Sequence, residues 1–289
     1  MKFISYYYNN KENVGILTEN GIIHLEKYNS MIDLIKNFNE EILKKFENII
    51  YKNDYNYIPL EKVKLLAPIP YPKRHILCLG KNYEDHAKEL MTTKISDTFI
   101  PNAPIYFTKS NGSVIGNNDY IKFYKNVTSQ VDYESELAIV IGKEGININK
   151  EDAEDYIFGY TIVNDVSARD LQVKHNQWFK AKSLDTFCPI GPSIVHKSKI
   201  PFPVELDITC KVNGEIRQNS NTKNLIFDIP YIISDLSKGF TLKPGDIICT
   251  GTPSGVGLSF DPPKLLKDGD IVECYIEKIG TLINTVKSI

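Results

Sequence analysis

No run of about eighteen apolar residues occurs in the chain, so nothing in it reads as a membrane-spanning helix. An excess of one charge is lacking too. The 34 Lys and Arg stand against 36 Asp and Glu, a formal net charge of −2, which gives no electrostatic footing for nucleic acid as a partner. Cysteine is sparse and unpaired in sequence: Cys78, Cys188, Cys210, Cys249 and Cys274 form no C-x-x-C. An odd, dispersed set points to free thiols in a reducing compartment, acting as small core hydrophobes rather than as ligands or nucleophiles. The N-terminal stretch MKFISYYYNNKENVG has neither an h-region nor a small-residue cleavage site, so no signal peptide is read and a cytoplasmic location is expected. Internal repeats and low-complexity tracts are absent.

What is present is an ordinary globular composition, 42% hydrophobic and 24% charged over 289 residues. That length is enough to bury a sizeable core without disulfides, as one large domain or two smaller ones. Residues 1–66 open with strand-like KFISYYY and VGILTENGIIHL, the second carrying an Asn20-Gly21 turn. The spacing of Ile32, Leu34, Ile35, Phe38, Ile42, Leu43 and Phe46 predicts one amphipathic helix from about residue 30 to 50, with Ser30 as its cap. The segment carries no chemical motif and reads as a small N-terminal α/β accessory domain. The Pro-rich LLAPIPYPKRH marks its end.

From residue 67 to 289 the texture is β-rich. HILCLG, ELAIVIG, FGYTIVND, LDITCKVNGEIR with its Asn213-Gly214 turn, DIICTG and DGDIVECYIEKIGTLINTVK all read as strands. Helices are expected only at about 83–91, 150–155 and 230–237. The fold class is α+β with a large mixed or antiparallel sheet system, not a doubly wound βαβ alternation.

Three carboxylates stand out. Glu134 and Glu136 in VDYESELAIVIG are two apart, so on a strand they project to one side. Side by side they repel by about 1 kcal/mol even in water, and more when buried. Asp165 ends the apolar run GYTIVND. Three acids without a nearby His or Cys form a hard oxygen site suited to Mg²⁺ or Mn²⁺, with Ca²⁺ a third option. Spacing alone equally allows a solvated acidic edge with Asp165 capping the next turn. His86 and Glu89, three apart on a predicted helix, can hydrogen-bond as a general-base pair or be a surface pair. Lys182 in AKSLDTFCPIGP, Lys109 in PIYFTKS and Arg169 are cationic candidates. Arg169 could hold a substrate carboxylate or brace the acids. The loop Thr250-Gly251-Thr252-Pro253-Ser254-Gly255-Val256-Gly257 could offer amides to an anion, but it lacks a Walker lysine, so nucleotide binding is not expected.

In order along the chain come Cys78-Leu79-Gly80-Lys81-Asn82-Tyr83 with His86 and Glu89, Tyr133-Glu134-x-Glu136-Leu137-Ala138, and Asn164-Asp165-Val166-Ser167-Ala168-Arg169-Asp170. Gln177-Trp178, Ala181-Lys182-Ser183-x-Asp185-Thr186-Phe187-x-Pro189-x-Gly191-Pro192, Asn221-Thr222 and the 250–257 loop complete the series. This set resembles the fumarylacetoacetate hydrolase family over roughly residues 67–289. The resemblance implies a mixed β-roll or β-sandwich catalytic domain, a homodimer, and Mg²⁺ or Mn²⁺ on Glu134, Glu136 and Asp165. It implies His86 and Glu89 as a dyad that activates water or moves a proton, and Lys182 as a stabiliser of enolate charge. Thr252 and neighbouring amides such as that of Gly251 would contact the substrate carboxylate. Residues from about Leu90 to Pro104 would form a lid. The implied substrates are small 2-oxo or 2,4-dioxo carboxylic acids. The implied chemistry is C–C hydrolysis of acylpyruvates, decarboxylation of oxaloacetate or keto–enol isomerisation, all through an enolate. An isomerase or decarboxylase of 2-hydroxyhepta-2,4-dienedioate-like diacids is the runner-up. A catalytically silent binding protein on the same fold is the alternative of a different class.

Overall fold

A computed structural model describes residues 1–53, 55–91, 93 and 100–289. Its frame is a large mixed sheet. Along the main path the strands run Gly21–His24, Lys11–Thr18, Lys2–Tyr8, Cys188–His196, Ile157–Asn164, Ser135–Ile141, Ile247–Cys249, Ile76–Gly80 and Ile105–Lys109. A second sheet contains Glu215–Asn221, Asp207–Val212, Ile271–Ile276, Gly280–Ser288 and Tyr120–Phe123. The expected mixed β architecture with few helices is what the protein adopts.

The central strands Ser135–Ile141 and Ile157–Asn164 are buried along their whole length. The pleat explains why. Leu137, Ile139 and Ile141 pack into a core shared with Ile208, Cys210, Val272 and Cys274 of the second sheet. Ala138 and Val140 face the opposite way, into a core with Met31, Ile32, Leu34, Ile35 and Phe46 of the N-terminal helices. The result is three layers: helices, large sheet, second sheet.

Residues 1–66 are joined to the rest through the backbone. Lys2 and Phe3 pair antiparallel with Val195 and Ile194. The predicted helix over 30–50 is instead two helices, Met31–Asn37 and Glu40–Lys52. Ser30 caps the first as expected, accepting from the Asp33 N–H. Phe38 then turns extended, and the Asn39 side chain accepts from the Ile42 N–H to start a second helix. The apolar spacing survives the break, which is why periodicity alone joins the two. A further turn precedes the Asn20-Gly21 one: Asn9 and Asn10 both take positive φ, 51° and 60°, between paired strands. The segment near 150–155 is a 3₁₀ helix, Lys150–Tyr156. Arg169 opens the helix Arg169–Lys174. No helix among the described residues is long and apolar enough to cross a membrane.

Candidate active site

The strand Ser135–Ile141 enters the sheet from Glu134, and Ile157–Asn164 leaves it towards Asp165. Because the two strands are antiparallel neighbours, with Ser135 opposite Asn164, these ends coincide in space. The Asp165 N–H donates to the Glu134 carbonyl (2.8 Å), and the Glu134 N–H donates to Asn164 Oδ1 (3.0 Å). Glu134, Glu136 and Asp165 thereby converge, with one carboxylate oxygen from each lying within 4.8 Å of the others. All three are buried, at 4%, 1% and 0% exposure. The solvated-edge alternative is not what the fold builds.

Burying three carboxylates together needs compensation. Lys182 Nζ donates to Glu134 Oε2 (2.8 Å) and Asp165 Oδ2 (2.7 Å). Lys109 Nζ donates to Asp165 Oδ1 (2.5 Å) and to the Val166 carbonyl (3.1 Å). Arg169 Nη1 meets Glu134 Oε1 (2.7 Å) and Gln172 Oε1 (3.0 Å), while its Nε donates to Asp132 Oδ2 (2.8 Å). In this network three cations face four carboxylates, counting Asp132. Glu136 is held by a backbone amide, that of Gly251 (2.8 Å), rather than by an ammonium or guanidinium. Its carboxyl is pushed well above the usual range by burial and by the adjacent Asp165 and Glu134. At Glu134 burial acts in the same upward direction, but Lys182 and Arg169 outweigh it and hold the group below the usual range. Burial acts to lower the Lys182 pKa, yet Asp165 and Glu134 raise it on balance, so it stays charged. An all-oxygen, under-compensated trio of this span fits a divalent hard cation.

His86 lies on the helix Glu84–Leu90, one turn after the strand Ile76–Gly80. Its Nδ1 is 2.7 Å from Glu89 Oε1. A carboxylate oxygen accepts, so the proton of this bond sits on Nδ1, and in the neutral ring Nε2 then keeps its lone pair. His86 lines the same small enclosed cavity as Glu134, Glu136, Arg169, Lys182 and Thr252. The apolar part of its lining is Leu79, Leu90, Phe107 and Trp178. Trp178 stands edge-on to Phe107, with ring centroids 5.3 Å apart. Gly80 makes room for it, since a Cβ there would lie 2.5 Å from the indole. In this conformation the cavity has about 20 Å³ of room, roughly one water, so a dicarboxylate enters only if its walls part.

The glycine-rich loop directs its amides at the protein's own carboxylates. Gly251 N–H donates to Glu136, Gly255 N–H to Glu89 Oε2 (2.8 Å), and the Gly257 and Leu258 N–H groups to Asp132 (2.7 and 3.1 Å). The Thr252 hydroxyl donates to the Ser135 carbonyl (2.9 Å). Gly251 and Thr252 are therefore at the site but engaged within the protein. Arg169 lines the cavity, and its buried Nη2 has no hydrogen-bond partner among the described residues. Sequence reasoning missed Asp132, Gln172 and Gln218. Asp132 lies directly before the Tyr-Glu-x-Glu run and could have been suspected. Gln218 sits in a hairpin strand whose one-letter pattern carries no sign of burial. Residues 92 and 94–99, nearly half of the expected lid, lie outside the described residues.

A mixed β fold with two acids of a buried trio and the histidine of a His–Glu pair in one cavity is that of an enzyme with an acidic, cation-suited centre. Residues 75–287 match the family described as fumarylacetoacetate (FAA) hydrolase C-terminal, and the chain belongs to the fumarylacetoacetate hydrolase family. It is 56% identical over 227 residues to oxaloacetate tautomerase YisK of Bacillus subtilis, covering 78% of this chain and 74% of that protein. The fumarylacetoacetate hydrolase of Exiguobacterium antarcticum superposes with a TM-score of 0.85 at 38% identity, over 100% of both chains. A maleylpyruvate hydrolase from Sphingobium sp. SYK-6, solved with manganese (II) ion and pyruvate, superposes with a TM-score of 0.80 at 30% identity over 100% of this chain and 99% of that one.

Proposed function

We propose that this enzyme interconverts the keto and enol forms of oxaloacetate or a close 2-oxo dicarboxylate, with a divalent cation, Mg²⁺ or Mn²⁺, on Glu134, Glu136 and Asp165. The observation that carries the reading is one cavity lined by His86, itself bonded to Glu89, and by Glu134 and Glu136, which converge with Asp165. The name of the 56%-identical relative supports oxaloacetate as substrate, and the manganese in the maleylpyruvate hydrolase supports the cation. When bound, the cation supplies Lewis acidity towards the 2-keto oxygen.

The chain's own groups do the rest. Arg169 Nη2 orients a substrate carboxylate, with the guanidinium already fixed by Asp132 and Glu134. Towards the enol, His86 Nε2 takes a proton from C3 and delivers it to the 2-oxygen, and towards the ketone the two transfers run in reverse, while Glu89 holds the imidazole in that tautomer. Lys182 keeps positive charge beside the 2-oxygen as it becomes anionic. The apolar wall of Leu79, Leu90, Phe107 and Trp178 keeps bulk water away from the enolate. Residues 1–66 line no part of this cavity, which supports an accessory role for them.

Hydrolysis of acylpyruvates or decarboxylation of oxaloacetate is the second reading. It is favoured by the maleylpyruvate hydrolase likeness, because the same dyad can activate water. The test follows enol-oxaloacetate by its ultraviolet absorbance and pyruvate release from oxaloacetate and acetylpyruvate, with Mn²⁺, with Mg²⁺ and with EDTA. Metal-dependent loss of the enol signal without pyruvate is the expected result. Turnover untouched by EDTA, or by Glu134→Ala, overturns the metal reading. Pyruvate release faster than tautomerisation selects the second.

A further inference from the structure

Ser135 stands between Glu134 and Glu136, and its backbone faces a strand that has already ended. The neighbouring strand Ile247–Cys249 pairs with Val140, Ile139 and Ala138, and its last ladder bond runs from the Thr250 N–H to the Leu137 carbonyl (3.0 Å). The chain then swings off at Gly251, with φ +95°. In a strand, the N–H and C=O of residues two apart point to the same neighbour. Ser135 therefore aims both groups where Leu137 does, at a place without partner backbone. It is fully buried, so leaving them unpaired would be costly.

Gln218 fills that gap from the other sheet. It lies on Glu215–Asn221, at 0% exposure. Its Oε1 accepts from the Ser135 N–H (3.0 Å), and its Nε2 donates to Thr252 Oγ1 (2.7 Å) and to the Pro253 carbonyl (2.7 Å). Thr252 Oγ1 in turn donates to the Ser135 carbonyl (2.9 Å). Ser135, Gln218 and Thr252 close a ring of three hydrogen bonds, in which the carboxamide replaces the missing peptide group of the sheet. The ring fixes the backbone on which both Glu134 and Glu136 are carried.

We infer that Gln218 is a positioning residue for the acidic centre, holding the Glu134-Ser135-Glu136 backbone in the arrangement that binds the cation. The inference rests on the metal reading above. Gln218→Met keeps the volume and removes the carboxamide's hydrogen bonds, including that to the Ser135 N–H; Thr252→Val removes the two ring bonds made by its hydroxyl and leaves the Gln218 bonds to the Ser135 N–H and the Pro253 carbonyl. Asn284, equally buried and tied to the Gly116 and Asp119 carbonyls in a different part of the second sheet, supplies the control Asn284→Leu.

The experiment is calorimetric titration of Mn²⁺ into each metal-stripped, folded protein. Gln218→Met is expected to raise Kd by about 10-fold or more, the range usual for groups that orient metal ligands. Thr252→Val raises Kd less, and the double variant loses less than the product of the two, because the ring is already broken. Asn284→Leu lowers the melting temperature and leaves Kd unchanged. A Kd for Gln218→Met within twofold of the unsubstituted protein overturns the inference. If that variant does not fold, an unchanged Kd in Thr252→Val overturns it. An unsubstituted chain that binds no Mn²⁺ overturns the metal reading first, and this inference with it.

Discussion

Glu136→Gln separates what the acidic trio does to the fold from what it does for a cation. In the metal-free protein Glu136 has two carboxylate neighbours within 4.8 Å and one amide donor. At an effective dielectric of about 20, each neighbour at that distance repels it by about 3.5 kcal/mol. Taking up a proton instead costs about 1.36 kcal/mol per pH unit above the ordinary value of 4.5, hence about 3.4 kcal/mol at pH 7. Protonation is the lesser penalty and caps what Glu136 can take from stability. A glutamine of the same shape avoids both. The folded carboxyl is raised above its unfolded value, so its contribution is intact below pH 4.5 and is lost as pH rises from there. Metal-free Glu136→Gln should match the unsubstituted protein near pH 4.5 and exceed it increasingly towards pH 7, by at most about 3 kcal/mol. At roughly 2–4 °C per kcal/mol, the gap in melting temperature stays under about 12 °C. Mn²⁺ at about 100 times its Kd should then add about 2.7 kcal/mol to the unsubstituted protein and little to the variant, closing or reversing the gap. Thermal melts at pH 4.5, 6 and 7, with and without Mn²⁺, read both arms. A metal-free variant less stable at pH 7, or an equal Mn²⁺ shift in both proteins, refutes the reasoning.

Glu89→Gln should lower kcat by about 100-fold while Mn²⁺ affinity holds, because His86 loses its tautomer partner and the trio is untouched; an unchanged kcat removes the dyad from the mechanism. Trp178 is the one tryptophan and forms the cavity wall, so its fluorescence should change on adding oxalate with Mn²⁺, and Gly80→Ala should shift the emission of the free protein by displacing the ring; an indifferent spectrum places ligand elsewhere. His196 sits among Phe3, Phe38 and Phe158, and burial lowers its pKa from 6.5 to about 4. Its neutral form therefore stabilises the fold above pH 6.5, and stability falls by up to about 3 kcal/mol as pH drops to 4. His196→Phe should flatten that part of the pH profile, and an unaltered slope assigns the loss to other groups. The outward face of the second sheet carries exposed Tyr120, Ile216, Ile271 and Tyr275, and light scattering should give twice 32.9 kDa; a monomer at micromolar concentration ends the homodimer expectation.

The large elements were legible because burial on both faces writes itself as unbroken apolar runs, as in ELAIVIG and FGYTIVND. The helix break at Phe38 was not, because a side-chain cap changes direction without disturbing apolar spacing. The strand Cys188–His196 was hidden by the prolines and glycine in CPIGPSIVH, which read as loop. At the site, residue types two or three apart could be read as pairs: Glu134 with Glu136, and His86 with Glu89. What could not be read was the long-range geometry that decides whether a pair is buried.

The 250–257 loop shows why that missing geometry matters for function. Glycines after a strand suggest amides offered to a ligand anion, yet those of Gly251, Gly255 and Gly257, with that of Leu258 just beyond, bind Glu136, Glu89 and Asp132. The Cβ that Gly255 lacks would lie 2.0 Å from the Arg217 carbonyl, and that of Gly257 would lie 2.6 Å from Asp132 Oδ1. These glycines permit a close approach, but to the protein itself. One loop thus holds an acid of the trio, the carboxylate that orients His86, and the carboxylate that fixes Arg169. The proposed cation site, the proposed proton-transfer group and the guanidinium of Arg169 are all tied to a single backbone path. A displacement of that path, as Gly255→Ala would force, should therefore perturb all three together.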